Sequence, residues 1–238
     1  MKTIAFVATK GGTGKTSLAF ALGIEAAKRG SVYFIDMDPQ ASLTELCKRR
    51  DVKRGAGQKD MFENQAENPT LLTDVASLTN AVASLKRTKF ERDFIVADTP
   101  GSMMRVIRNA IEAADCLILP VQESPLDVLA QEDAAQYIIE AGRQGVAFFV
   151  MNRIDPSSKI DDLTARLGPV FPNPPVRINQ RLIYARALIA GKSAAEVDKK
   201  AAADIAKLWA AIEAILKKEE VHGYEKGFAG GHAEGNRA

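Results

Sequence analysis

Lys10-Gly11-Gly12-Thr13-Gly14-Lys15-Thr16 follows the short apolar run Thr3-Ile4-Ala5-Phe6-Val7-Ala8 and precedes a helical pattern from Ser17 to Arg29. Strand, glycine-rich turn and helix in that order are the layout of a phosphate-binding loop. Glycines carry no Cβ, so backbone N–H groups can crowd onto phosphate oxygens. Lys15 supplies a point charge for β- and γ-phosphates, and Thr16 a hydroxyl for Mg²⁺. The helix behind adds its positive N-terminal end.

The run departs from the general pattern G-x-x-x-x-G-K-[ST]. That pattern requires glycine at position 9, where Thr9 stands, and here a second lysine, Lys10, opens the loop. K-G-G-x-G-K-T resembles the deviant Walker A loop of the ParA/MinD family of ATPases. The resemblance implies ATP and Mg²⁺ as cofactors and residues Lys10, Gly11, Gly12, Thr13, Gly14, Lys15, Thr16 and Ser17 as the nucleotide cradle. It also implies that Lys10 reaches across a dimer interface to the partner's phosphates, joining Lys15 in catalysis.

The chain has 238 residues, enough for one domain with a substantial core. Apolar residues make up 46% and charged residues 26%, which is ordinary for a globular protein. The formal net charge is only +2, so any nucleic-acid surface must be a local patch. Cys47 and Cys116 are far apart and form no C-x-x-C, which argues against a disulfide framework, a zinc site or a paired-cysteine cluster. No apolar run approaches a membrane span. The N-terminal apolar run is short and ends at Lys10 without a cleavage site, so the expected location is the cytoplasm.

A second carboxylate-bearing segment follows the buried-strand pattern Val32-Tyr33-Phe34-Ile35: Asp36-Met37-Asp38-Pro39-Gln40. Carboxylates at the carboxyl end of a strand beside a phosphate loop are placed to act on Mg²⁺ or on a water. The competing reading is a pair of aspartates capping a helix over 41–50. D-x-D-P-Q resembles the second ParA motif, which implies Asp38 as the residue placing the attacking water and Asp36 near the metal shell. The third segment, Phe94-Ile95-Val96-Ala97-Asp98-Thr99-Pro100-Gly101, is an apolar strand ending in a carboxylate. This is the Walker B arrangement, in which Asp98 orients Mg²⁺ through its water. Gly101 can offer its N–H to a γ-phosphate and turn the residues after it into a nucleotide-sensing switch. The family more often has proline at that position.

Residues 51–70 read as a polar excursion, and 73–85 as a helix. Lys86, Arg87, Lys89 and Arg92, with Phe90, read as a solvated helix end in preference to the alternative, a nucleic-acid contact. A helix over 105–113 and a strand over 115–121 come next. Ser124 and Pro125 then suit the N-cap and first position of a helix running to about Gly142. The segment from Ala113 to Asp127 resembles partition ATPases more than MinD. Val146 to Met151 reads as a buried strand closed by Asn152-Arg153, and the resemblance implies that Asn152 reads the adenine edge. Four prolines in 169–175 require a loop, expected to pass over the base. Helices are expected over 179–189 and 194–218, the latter burying Ala202, Ile205, Leu208, Trp209, Ile212, Ile215 and Leu216. The chain thus divides into an ATPase domain, 1–222, and a flexible polar tail, 223–238, with no apolar face for a membrane.

Alternating strands and helices imply an α/β fold, a mostly parallel twisted sheet with helices on both faces and a ligand at the carboxyl ends of the strands. Between Val176 and Glu220, nine basic residues stand against six acidic ones. The resemblance implies a homodimer with ATP, nonspecific DNA held by residues of this region, a ParB-like or other adaptor that stimulates slow hydrolysis, and nucleoid association. The candidates for DNA contact are Arg177, Arg181, Arg186 and Lys192. No helix-turn-helix extension precedes the loop, so nonspecific binding is expected. Two alternatives stand beside plasmid or chromosome partition. One is a MinD-like or organelle-positioning ATPase. The other is a metal-cluster carrier resembling nitrogenase iron protein, which would need cysteines at a dimer axis.

Overall fold

The computed structural model describes residues 1–50, 69–88 and 92–230. Seven parallel strands form one sheet in the order β3-β2-β4-β1-β5-β6-β7. They are β1 (Lys2–Phe6), β2 (Val32–Asp36), β3 (Thr70–Leu72), β4 (Phe94–Asp98), β5 (Cys116–Val121), β6 (Ala147–Ile154) and β7 (Val176–Asn179). Between them run α1 (Lys15–Ala26), α2 (Ser42–Arg49), α3 (Leu78–Lys86), α4 (Met104–Ala113), α5 (Pro125–Glu140), α6 (Asp161–Leu167), α7 (Leu182–Ile189) and α8 (Lys199–Gly230).

Continuous apolar strands are what a sheet covered on both faces demands. Ile4, Ala5 and Phe6 of β1, and Tyr33, Phe34 and Ile35 of β2, are fully buried. Helix α1 is apolar nearly all round because α2 and α8 pack on it as well as the sheet. On α8, Ile205, Leu208, Trp209, Ile212, Ile215 and Leu216 are buried as expected, with Ala201 rather than Ala202 completing the stripe.

The register aligns the carboxyl ends. Phe6 of β1 pairs with Asp98 of β4, and Asp98 pairs with Asp36 of β2. Adjacent strands lie roughly 4.8 Å apart. The loop after β1 and the two aspartates therefore meet at one end of the sheet, at the point where the chain turns to opposite sides of β1.

Several expected boundaries move. β3 is a short edge strand whose three residues carry no pattern. α3 begins at Leu78 rather than near Thr73, because Ser77 caps it by accepting from the Asn80 N–H. α6 was not anticipated, since its seven residues bury only Leu167. The proline-rich loop 169–175 does not pass over the base. Asn173 donates to the carbonyls of Gly145 and Ala147, and Phe171 packs on Phe149, so the loop is tied to the amino end of β6, away from Asn152. α8 continues to Gly230, into the segment expected as a tail from residue 223. A glycine in a helix costs only about 1 kcal/mol, so Gly223 alone does not end it. Residues 231–238, most of the 51–70 excursion, and Lys89 and Phe90 lie outside the described residues.

Candidate functional site

The loop between β1 and α1 is held from outside by its carbonyls. Gln122 Nε2 and Arg153 Nη1 both donate to the Gly12 carbonyl, at 2.8 and 3.1 Å. Asn152 Nδ2 donates to the Thr13 carbonyl at 2.8 Å. In a trans peptide the next N–H points opposite its carbonyl, so these bonds fix where the Thr13 and Gly14 amides aim. Gly14 is required twice over. Its φ is +92°, and a Cβ there would stand 2.3 Å from Asn152 Nδ2. Gly101 is required by proximity, because a Cβ there would meet the Gly11 nitrogen at 2.9 Å. The switch segment after β4 thus lies directly on the phosphate loop.

Gly11, Gly12, Gly14, Lys15, Thr16, Ser17, Asp38 and Gly101 line one cleft of about 690 Å³, walled beyond the loop by α2 and the end of α7. Lys15 is buried, and its Nζ donates to the Lys10 carbonyl at 3.2 Å. Burial lowers its pKa, while the Asp98 and Asp38 carboxylates oppose that effect. Asp98 is completely buried, and neither carboxylate oxygen has a hydrogen-bond partner. Burial pushes its pKa up to about 7; the nearby Thr16 hydroxyl and Lys15 pull it down, and Asp36 and Asp38 push it further up. The Thr16 contact falls short of a full hydrogen bond to either oxygen. A buried orphan carboxylate beside a loop hydroxyl is a donor set that fits Mg²⁺, which would supply the missing partner.

Asp36 differs from expectation. Its Oδ2 accepts from both the N–H and the hydroxyl of Thr44 at 2.7 Å, and its Oδ1 accepts from the Asp38 N–H at 3.2 Å. It caps the first turn of α2, the competing reading of the D-x-D segment, and acts near Asp98 as a charge rather than as a free ligand. Asp38 is half-buried, accepts from the Gln40 N–H at 2.9 Å and faces the cleft. Lys10 is turned within its own subunit onto Asp127, at the start of α5. Asn152 is at the expected strand end, but its amide N–H braces the loop, and it lines a second chamber of about 530 Å³ together with Asp155, Gln180 and Tyr184.

The four basic candidates separate. Arg177 donates to Asn179 Oδ1 and to the carbonyls of Asp155, Pro156 and Ser158, so it braces the turn after β6. Arg181 pairs with Asp204 of α8. Both guanidinium groups are engaged by the fold. Arg186 and Lys192 are exposed and form no ion pair among the described residues. Gln122, Asp127 and Arg153 were not anticipated as site residues. Each acts on the loop from a distant strand end or helix start, so spacing along the sequence does not connect it to the loop. Cys47 and Cys116 are fully buried in α2 and β5, so they cannot meet a partner's cysteines at a dimer axis, which removes the cluster-carrier alternative.

The fold and this loop define a P-loop nucleotide-binding protein. A family model described as ATPase MipZ matches residues 2–146. The maintenance of carboxysome distribution protein A of Halothiobacillus neapolitanus is 30% identical over 200 residues, covering 80% of this chain and 85% of that protein. Protein ParA of Rhizobium radiobacter is 30% identical over 141 residues, covering 59% of this chain and 57% of that one. An ATP complex of McdA from Cyanothece has the same fold, with a TM-score of 0.67 at 22% identity over 90% of this chain and 96% of that one. The chain belongs to the MipZ family of ATPases, within the ParA/MinD group. Among the described residues, no helix is long and apolar enough to cross a membrane.

Proposed function

We propose that this ATPase is a dimerising switch that binds nonspecific DNA in its ATP state and so positions or segregates a cargo. The observation that carries the reading is the second lysine. Lys10 heads a phosphate loop already served by Lys15, and its exposed amine rests on Asp127 at the start of α5. A lysine with no task inside its own nucleotide site is available to a partner's. Leu126 and Leu129 flank Asp127 and are 70% and 49% exposed, and Met103 of the switch segment is 45% exposed. Burial of such residues favours association of two subunits.

Within one site, Lys15 binds the β- and γ-phosphates, and the Thr13 and Gly14 amides add hydrogen bonds. Mg²⁺ would be held by the Thr16 hydroxyl and, through water, by Asp98, and it neutralises phosphate charge. Asp38 places the attacking water. Gly101 reports the γ-phosphate to the segment carrying Met103. A stimulating adaptor completes the cycle, and the cargo is a plasmid, a chromosome locus or a protein assembly; the Halothiobacillus relative's name points to carboxysomes. DNA contact falls to Arg186 and Lys192, with exposed Lys199 and Lys200 nearby in the chain.

The test is binding to random-sequence duplex DNA with ATP, with ADP and without nucleotide, at two salt concentrations. Binding with ATP alone, weakening steeply with salt, is expected, because phosphate contacts release counterions. Arg186→Ala with Lys192→Ala should weaken it, and Arg177→Ala should not act beyond its effect on folding. Absence of binding in every nucleotide state would refute the DNA-bound switch.

A further inference from the structure

The nucleotide cleft has two chambers, and three residues line both: Ser17, Leu188 and Arg153. The phosphate loop lies in one chamber and Asn152 in the other. A nucleotide that fills both must pass its ribose and α-phosphate through the junction. Of the three residues at the junction, only Arg153 carries a charge.

The backbone is bent to deliver that side chain. Arg153 has φ +56°, one of three positive values among described non-glycine residues. The pairing of β6 with β7 shifts register between Met151 and Ile154, around this residue. Every other residue of β6 is buried, and Arg153 alone is exposed. Irregular strand ends of this kind re-aim side chains, and a left-handed arginine persists only where the surroundings impose it. The Gly12 carbonyl takes one N–H of the guanidinium. A guanidinium has five, and the rest have no protein partner among the described residues.

We infer that Arg153 is a nucleotide-binding residue, which clasps the α-phosphate at the junction while bracing the phosphate loop at Gly12. The inference rests on the ATPase reading and adds a contact to it. A planar fork can hold a carbonyl on one edge and a phosphate on another, which the compact ammonium of lysine cannot do as well.

Calorimetric titration of ATP and ADP into wild type, Arg153→Ala, Arg153→Lys and Gln122→Ala tests it. Arg153→Ala should weaken both nucleotides by the same factor, roughly tenfold for one charged hydrogen bond. Arg153→Lys should recover part of the loss and guards against misfolding of the alanine variant. Gln122→Ala removes the other donor on the Gly12 carbonyl, so it reads the contribution of bracing alone, and its loss should be clearly smaller than that of Arg153→Ala. Unchanged affinity in Arg153→Ala overturns the inference. An equal loss in Gln122→Ala overturns it by reducing Arg153 to a brace, and a loss confined to ATP overturns it by moving the contact to the γ-phosphate. A wild type that binds neither nucleotide sinks the ATPase reading itself, and this contact with it.

Discussion

Asp98 ends β4 without solvent contact and without a hydrogen bond to either oxygen. Its pKa, raised by burial to about 7, means that folding favours the protonated form. For a carboxylate shifted upward the sign is clear: metal-free stability is lost as pH rises from the unfolded value, 3.8, toward 7, and stays lost above it. Asp98→Asn should therefore raise the melting temperature of the metal-free protein at pH 8 by at least the roughly 2–4 °C that 1 kcal/mol is worth at this size. The same change should abolish Mg²⁺-dependent turnover. Differential scanning calorimetry across pH reads the first effect, and no stabilisation at pH 8 would contradict the account. At Gly14 the direction reverses. Gly14→Ala forces a side chain onto φ +92° and into Asn152, and should cost roughly 1–3 kcal/mol in urea unfolding as well as nucleotide affinity.

Helix α2 is pinned at both ends. Asp36 holds its first turn through Thr44, and just past its last residue Arg50 makes a two-pronged ion pair with Glu196, at 2.8 and 2.9 Å. Glu196 also accepts from the Ser193 N–H, closing the capping box of the short helical turn just after Lys192. Burial raises the Glu196 pKa, but the bonds from Arg50 and Ser193 outweigh it and leave the pKa below 4.5. For a lowered carboxylate, the stability is present above the unfolded pKa and is lost as pH falls through the folded one. Because Glu196 is exposed and its pair with Arg50 is screened by solvent, Glu196→Gln should cost about 0.5–1 kcal/mol at pH 7, and its difference from wild type should vanish toward pH 3. A difference that persists in acid would contradict the ion-pair assignment. These long-range pairs are what the sequence did not disclose. Buried strands were legible because each is an unbroken apolar run, and the phosphate loop and Asp98 because their spacing is local. The partners of Arg177 and Arg181 depend on which elements pack together, whereas for Asp36 the sequence left a helix cap and a place near the metal shell as competing readings.

At the scale of the whole molecule, Lys10 and the exposed Leu126, Leu129 and Met103 make up the face that the proposed switch would use to meet a second subunit. The switch account requires that ATP bring two copies together over this face. Asp38→Ala should accumulate the ATP-bound dimer by stopping hydrolysis, and undiminished turnover in that variant would refute the role given to Asp38. Lys15→Ala should abolish ATP binding, and normal ATP affinity would refute the loop assignment. The most direct test is sedimentation velocity of the wild type and of Lys10→Ala, each with ATP, with ADP and without nucleotide. The account predicts that ATP alone doubles the mass of the wild type, and that Lys10→Ala binds ATP but stays a monomer. A wild type that remains monomeric with ATP, or a Lys10→Ala variant that dimerises and turns over normally, would contradict it.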